Sequence, residues 1–281
     1  MVPSAIPFLT AILLAIVQGA TEFLPVSSSA HLVIVSKLCQ LEHLPLTFVV
    51  TVHVGTLLAV LIYYRRDVRD FIRAIFHPAL EVEGRGEANT SARRLFWLLI
   101  VASIPAGVAG FLLADMVDRA FSAPLPAGVA LLATAAFLWL ADRCHGSRNP
   151  DKLSYLDALL IGLGQAAAIM PGISRSGTTL WAARARKLSA GWAPRFSFLL
   201  SIPAIAGAGL LEGKDLLANP PAAGELVVYA IAGLVAAAVG YASIYLVLDS
   251  VKHGSLFKRF GYYCVVLSVL TIIGSLTGYL G

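Results

Sequence analysis

Charge is what this sequence has least of. Only 13% of its 281 residues are Asp, Glu, Lys or Arg, 58% are hydrophobic, and the mean hydropathy is +0.80. Soluble domains carry about 25% charged residues, so this chain has too little polar surface to coat a water-soluble globule. Its solvent is the lipid bilayer. Cysteine is equally scarce: Cys39, Cys144 and Cys264 lie far apart, with neither metal-ligand nor redox spacing, which argues against a disulfide framework and a zinc site. No positive charge precedes the apolar stretch from Ile6 to Val17, so a cleaved leader is not expected. The net charge of +5 is not a nucleic-acid signature either. The bases fall in short clusters between apolar runs, such as Arg65, Arg66, Arg69 and Arg73, or Arg184, Arg186 and Lys187, or Lys252, Lys258 and Arg259. The positive-inside bias of membrane proteins produces that distribution.

What is present is a series of apolar runs. A helix crossing the hydrocarbon core needs about 20 mostly apolar residues, and six stretches approach that length: 48–64, 95–114, 127–141, 196–211, 226–248 and 260–280. Two further apolar regions, 5–42 and 155–190, are broken by Pro25-Val26-Ser27-Ser28-Ser29 and by Pro171-Gly172-Ile173-Ser174-Arg175-Ser176-Gly177. Loops 65–94, 142–154 and 249–259 are basic and belong inside. Loops 115–126 and 212–225, with Asp115, Asp118, Glu212, Asp215 and Glu225, belong outside. These assignments make 155–190 a re-entrant hairpin entering from inside and 5–42 one entering from outside. The expected fold is an all-α integral membrane protein with an inverted-topology repeat, six transmembrane helices plus two re-entrant helical hairpins. Residues 1–142 form the first repeat and 143–281 the second, in one integrated membrane domain. Gln18 precedes Ser27 by the interval at which Gln165 precedes Ser174, a faint echo of that repeat. Broken helices that meet near the midplane put a binding site where the breaks meet, and irregular backbone at that depth is tolerated only where protein or a water-filled cavity surrounds it.

The first break contains Glu22 and His31 within apolar surroundings. Ionisable groups in the membrane are expensive and mark function by default, although a structural Glu–His pair holding the hairpin together would also place them there. Ser27, Ser28 and Ser29 follow a proline and open a half-helix, whose unpaired N–H groups and dipole favour an anion. Ser28 and His31 are three apart and share a face. The second break sets Arg175 between Ser174 and Ser176, with Thr178 and Thr179 just after. A planar fork of donors beside glycine and hydroxyls is the outline of a phosphate site; an ion pair between Arg175 and Glu22 across the repeat interface is the alternative. His53, in a spanning helix, reads either as a residue lining the pathway or, more commonly, as a hydrogen-bonded packing histidine. Gln18 and Gln165 read as hydrogen-bonding partners across the pseudo-twofold, and Gly107, Gly110, Gly207 and Gly209 as points of close helix approach. Trp97, Trp139, Trp181 and Trp192 fall near the membrane interfaces.

At these residues the chain resembles the bacterial undecaprenyl-diphosphate phosphatase family of the bacitracin-resistance type. The segments that carry the resemblance are Gly19-Ala20-Thr21-Glu22-Phe23-Leu24-Pro25-Val26-Ser27-Ser28-Ser29-Ala30-His31, Pro171-Gly172-Ile173-Ser174-Arg175-Ser176-Gly177-Thr178-Thr179 and Phe196-Ser197-Phe198-Leu199-Leu200-Ser201-Ile202-Pro203. The resemblance implies hydrolysis of undecaprenyl diphosphate to the monophosphate carrier at the outer face of the bacterial plasma membrane, assisted by a divalent cation, Mg²⁺ or Ca²⁺. It places functional residues at Glu22, Ser27, Ser28, His31, Ser174, Arg175 and Thr178. Many members have Glu where this chain has Gln18, so a mechanism requiring two carboxylates in this hairpin is in doubt here.

The mechanism expected from these residues gives catalysis to Glu22, Ser28, His31 and Arg175 and substrate binding to Ser27, Ser174, Ser176, Thr178 and Gln18. Glu22 holds part of the metal, and His31 is the base toward Ser28 or water. The expected partners are undecaprenyl diphosphate, the bilayer and, for an oligomer, a second copy in a homodimer. A polyprenyl-phosphate flippase or transporter is the rival, since inverted repeats commonly serve alternating access.

Overall fold

The computed structural model describes residues 6–41, 43–76, 91–113, 116, 120, 123–218, 221–252 and 256–280, with backbone alone for 211–218 and Lys252. Among these, no β-strand occurs, and the elements are helices whose starts are written in the sequence. α1 (Phe8–Glu22) follows Pro7, and α3 (Leu46–Tyr63) follows Pro45. Between them, α2 (Ser28–Leu38) is capped by Ser27. α4 (Arg65–Phe76) follows at once, and α5 (Ala92–Leu112) is capped by Ser91, whose hydroxyl accepts from Arg94 N–H at 3.2 Å. α6 (Pro124–Arg143) opens on a proline, whose missing N–H costs nothing in a first turn. The second half runs α7 (Tyr155–Ala167), α8 (Arg175–Ala185), α9 (Trp192–Ala218), α10 (Ala223–Lys252) and α11 (Leu256–Leu276). A capping box of Ser154 and Asp157 starts α7, satisfying two otherwise orphaned donors.

Six helices are long and apolar enough to cross a membrane: Leu46–Tyr63, Ala92–Leu112, Pro124–Arg143, Trp192–Leu210, Ala223–Val251 and Leu256–Leu276. They correspond one for one to the spans read from the sequence. α1, α2, α7 and α8 have 15, 11, 13 and 11 residues. At about 1.5 Å per residue none reaches across a hydrocarbon core of about 30 Å. They pack as two helical hairpins, α1 on α2 and α7 on α8, and each hairpin lies against a span of the other half: α1 on α10, α7 on α5.

Small residues make these crossings close. A Cβ on Gly19 would stand 2.7 Å from the Ala236 carbonyl oxygen, and one on Gly162 would stand 2.2 Å from that of Ala102. The expectation that Gly107, Gly110 and Gly207 serve close approach is corrected, because a Cβ at any of them would meet nothing within 4 Å; at Gly209 it would meet only Val54, at 3.5 Å. Those glycines lie on open faces.

Several residues of the basic clusters also tie helix ends together. Buried Arg184 donates from Nε to the carbonyls of Ala141 and Cys144, both at 2.9 Å. Asp157 accepts from Arg148 at 3.1 Å and from Arg186 at 2.6 Å. Arg94 donates to the Leu153 carbonyl at 2.7 Å. These contacts gather the end of α6 and the starts of α5 and α7 at one face, which is the basic one. Asp115, Asp118 and Ser122 of the expected outer loop lie outside the described residues, as do the side chains of Glu212 and Asp215.

Candidate active site

The two breaks meet and bind each other reciprocally. The Ser176 hydroxyl donates to the Leu24 carbonyl at 2.9 Å, and the Ser29 hydroxyl accepts from Gly172 N–H at 3.4 Å. Each turn is sharp in its own way. Ser27 has φ +68°, a backbone state L-residues seldom adopt, and its side chain accepts from Ala30 N–H at 3.4 Å to cap α2. Gly172 has φ +100°, and a Cβ there would stand 2.3 Å from the Ala127 carbonyl oxygen, so only glycine fits. Buried Thr134 of α6 pins the second break from behind, donating to the Gly172 carbonyl at 2.8 Å and accepting from Ser174 N–H at 2.9 Å.

At the junction sits Glu22, the last residue of α1, 7% exposed. Arg175 donates to its Oε1 at 2.5 Å. The Ser28 hydroxyl donates to Oε2 at 2.7 Å, and the Gln18 amide donates to the same oxygen at 2.8 Å. His53 Nε2 lies 3.6 Å from Oε2. A carboxylate stripped of water needs that many donors; removing one partner of such a buried pair typically costs about 3–5 kcal/mol because the other charge is left uncompensated. Arg175 also reaches the Ser197 carbonyl at 3.4 Å, and Ser197 shares a hydrogen bond of 2.6 Å with Thr179. Thus α1, α2, α3, α8 and α9 each contribute to one polar cluster.

The sequence puts Ser28 and His31 on a shared face, with His31 as base toward Ser28 or water; the Ser28 hydroxyl hydrogen-bonds to Glu22. His31 is engaged at both ring nitrogens. Its Nδ1 lies 2.7 Å from the Ser27 carbonyl, which can only accept, so Nδ1 carries the proton. Its Nε2 then accepts from the Tyr263 hydroxyl of α11 at 2.7 Å, with the rings nearly parallel and 5.8 Å apart. The imidazole is anchored by the carbonyl one turn earlier, at the cap of its own helix.

Ser27, Ser174, Ser176 and Thr178 are all buried. Ser174 caps α8 by accepting from Gly177 N–H at 3.1 Å and shares a hydrogen bond of 3.2 Å with Ser176. Thr178 donates to the Ser174 and Arg175 carbonyls at 3.0 and 3.1 Å. These hydroxyls shape the two breaks around Glu22, Arg175 and Ser28, whereas Ser28 itself is only half-buried. Sequence reasoning missed Tyr263 and Thr134, and it weighed a pathway role for His53 but favoured packing. His53 carried a signal, an imidazole in an apolar span, which was assigned to packing; Tyr263 and Thr134 look like ordinary residues of spanning helices.

The profile of the family described as "Bacitracin resistance protein BacA" matches residues 11–270. An undecaprenyl-diphosphatase of Desulforudis audaxviator is 42% identical over 263 residues, covering 93% of this chain and 95% of that protein. One from Methanosphaera stadtmanae is 38% identical over 273 residues, with 94% and 97% covered. One from Hahella chejuensis is 41% identical over 241 residues, with 86% and 88% covered.

Proposed function

The chain belongs to the bacitracin resistance protein family, and from that premise we propose that it is an undecaprenyl-diphosphate phosphatase, hydrolysing the lipid diphosphate to undecaprenyl phosphate and inorganic phosphate. The activity recycles the lipid carrier for cell-wall synthesis and underlies bacitracin resistance. The observation that carries this reading is the junction of a carboxylate and a guanidinium from two opposed half-helix breaks. Glu22 and Arg175 lie 2.5 Å apart with the Ser28 hydroxyl on the same carboxylate. No observation favours transport over hydrolysis.

In the proposed reaction the diphosphate competes with Glu22 for Arg175. A guanidinium offers parallel N–H donors that match phosphate oxygens, and half-helix N-termini at α2 and α8 supply further N–H groups. Once Arg175 turns to the phosphate, Glu22 retains Ser28 and Gln18 as donors. Glu22 is then placed to take the proton of the attacking group, the Ser28 hydroxyl or a neighbouring water, as that group's oxygen bonds to the terminal phosphorus. The P–O bond to the bridging oxygen breaks, and the lipid monophosphate leaves. Where Ser28 attacks, a water then cleaves the phosphoseryl bond and releases inorganic phosphate. His31, held at both nitrogens, orders the α2 turn and is available as a proton acceptor where Tyr263 yields Nε2.

The donor set fits a divalent cation carried in by the substrate. Mg²⁺ is commonly held by one or two carboxylates together with substrate phosphates and water. The buried Oε1 of Gln18 has no hydrogen-bond partner and stands one turn from Glu22, so Glu22, Gln18 Oε1 and the Ser28 hydroxyl would hold such an ion, Mg²⁺ or Ca²⁺. Gln18 thereby supplies an oxygen where a second carboxylate is expected. The ion would offset charge developing on the leaving monophosphate. The protein is multi-pass in the membrane, and we place it in the bacterial plasma membrane, with halves 1–142 and 143–281 inverted relative to each other and the site opening outward.

Purified protein in detergent, where transport has no meaning, should release one inorganic phosphate per undecaprenyl phosphate formed, and a chelator should stop it. Binding of the lipid without phosphate release would overturn the assignment.

A further inference from the structure

α4 lies in a stretch expected from the sequence to be a basic loop, yet it is a regular helix of 12 residues, Arg65–Phe76. Its position is set by two lateral contacts. Asp67 pairs with Arg195 in the first turn of α9, and the Phe71 ring lies 6.1 Å from that of Phe96 in the second turn of α5. The helix follows directly on the end of α3. It therefore leaves α3 and lies against α5 and α9 near the ends of those spans, at the basic face.

Helical periodicity of about 3.6 residues per turn sorts its side chains into three stripes. Phe71 and Ala74 are buried against the protein, on the side of Asp67. Ile72, Ile75 and Phe76 form a second, outward stripe and are 53%, 43% and 73% exposed. Arg65, Arg66, Arg69 and Arg73 form the third, all exposed, beside the apolar stripe. A helix with one packed, one apolar and one basic stripe matches the boundary where acyl chains give way to headgroups. Among the described residues Arg69 lies 3.6 Å from Asp70, so a neutral partner would still leave most of the basic stripe without an opposing charge; an anionic lipid surface satisfies both outward stripes at once.

We propose that α4 is a binding helix for anionic phospholipid. Ile72, Ile75 and Phe76 enter the acyl boundary, and Arg65, Arg66, Arg69 and Arg73 take the phosphodiester headgroups of the leaflet at the basic face. Guanidinium groups suit this role, since their planar fork meets phosphate oxygens in pairs. Each basic residue held at an anionic membrane surface contributes roughly fivefold to lipid partition.

The experiment is a competition read by native mass spectrometry, with full-length protein offered equimolar phosphatidylglycerol and phosphatidylcholine. Wild type should retain phosphatidylglycerol preferentially. The combined variant Arg65→Gln, Arg66→Gln, Arg69→Gln, Arg73→Gln should lose about tenfold or more of that preference. A control variant, Lys258→Gln with Arg259→Gln at the start of α11, should lose much less of it. Equal loss in the control, or preference retained in the α4 variant, would overturn the proposal. Insertion is measured separately with Phe76→Trp, so that the result does not depend on the fourfold variant folding. Its fluorescence should be quenched by lipids brominated near the headgroup; quenching by aqueous iodide alone would place α4 in water and sink the idea.

Discussion

The two hairpins are built to one plan and charged in opposite ways. Each carries a glutamine nine residues before the serine that caps its second half-helix, Gln18 before Ser27 and Gln165 before Ser174. Each sends a serine hydroxyl to the backbone of the other, Ser176 to Leu24 and Gly172 N–H to Ser29. Yet four residues after the glutamine the first hairpin has Glu22 and the second has Ile169. One residue after the capping serine, the first has Ser28 and the second has Arg175. The plan makes the backbone cradle, and its departures from symmetry make the chemistry. An acid, a hydroxyl and a cation meet at one point because each is supplied by only one hairpin.

The largest effects should come from those departures. Glu22→Gln keeps the shape and hydrogen bonds to Gln18 but removes the charge that faces Arg175. Phosphate release should fall by about two orders of magnitude or more, in the range seen when a single electrostatic contributor to a transition state is removed, and melting in detergent should fall too, because Arg175 loses the charge that compensates it. A mutant that keeps most of its turnover would take Glu22 out of the reaction. Arg175→Lys tests the other arm. An ammonium keeps the charge but gives a point contact in place of a fork, so kcat should drop far more than KM rises, the signature of an interaction made mainly in the transition state. If Lys restores most of what Arg175→Ala loses, then Arg175 is only the ion-pair partner of Glu22, and the opposite charging of the hairpins serves stability alone.

How much of this could be read from the chain follows from the same contrast. The six spans and both breaks were legible because each is a run of neighbours, and lipid imposes a length on such runs. Glu22 and Arg175 were legible because a charge in an apolar segment is conspicuous by its cost. Their pairing with each other was one of two readings left open, since a separation of 153 residues along the chain leaves no local trace. Tyr263 and Thr134 were invisible for a simpler reason. A tyrosine or threonine in a span fits lipid, packing or a hydrogen bond equally well, and only the neighbour decides. α4 escaped because its charge suggested a loop, although Val68, Phe71, Ile72, Ile75 and Phe76 fall at amphipathic helical spacing.

Tyr263 gives a smaller and more selective effect, because it touches only the first hairpin. Tyr263→Phe removes the donor to His31 Nε2 and leaves the ring in place. A hydrogen bond of this kind is worth about 1 kcal/mol net, so kcat should fall by roughly fivefold with KM nearly unchanged. The ring is 44% exposed, so melting in detergent should barely move. Loss of stability with kcat intact would make the Tyr263–His31 contact a structural tie.

The smallest effect on turnover, and the sharpest test of the comparison, belongs to Gln165. Gln18 and Gln165 are 0% and 2% exposed, but only Gln18 has a carboxylate one turn on. Its amide donates to Glu22, whereas neither the oxygen nor the nitrogen of Gln165 has a partner. A buried polar group left unsatisfied costs about 1–3 kcal/mol, while an apolar group of similar shape in its place is close to neutral or stabilising. If Gln165 is the part of the shared plan whose partner became Ile169, Gln165→Leu should leave phosphate release unchanged and raise thermal stability in detergent. Gln18→Leu should do the reverse, lowering turnover because Glu22 loses a donor. The pair of substitutions is informative because leucine removes the same amide atoms from equivalent places. Should Gln165→Leu abolish turnover in a protein that melts normally, the second hairpin holds a ligand with that amide. The hairpins would then differ in what they bind, with Gln165 as much a part of the chemistry as Gln18.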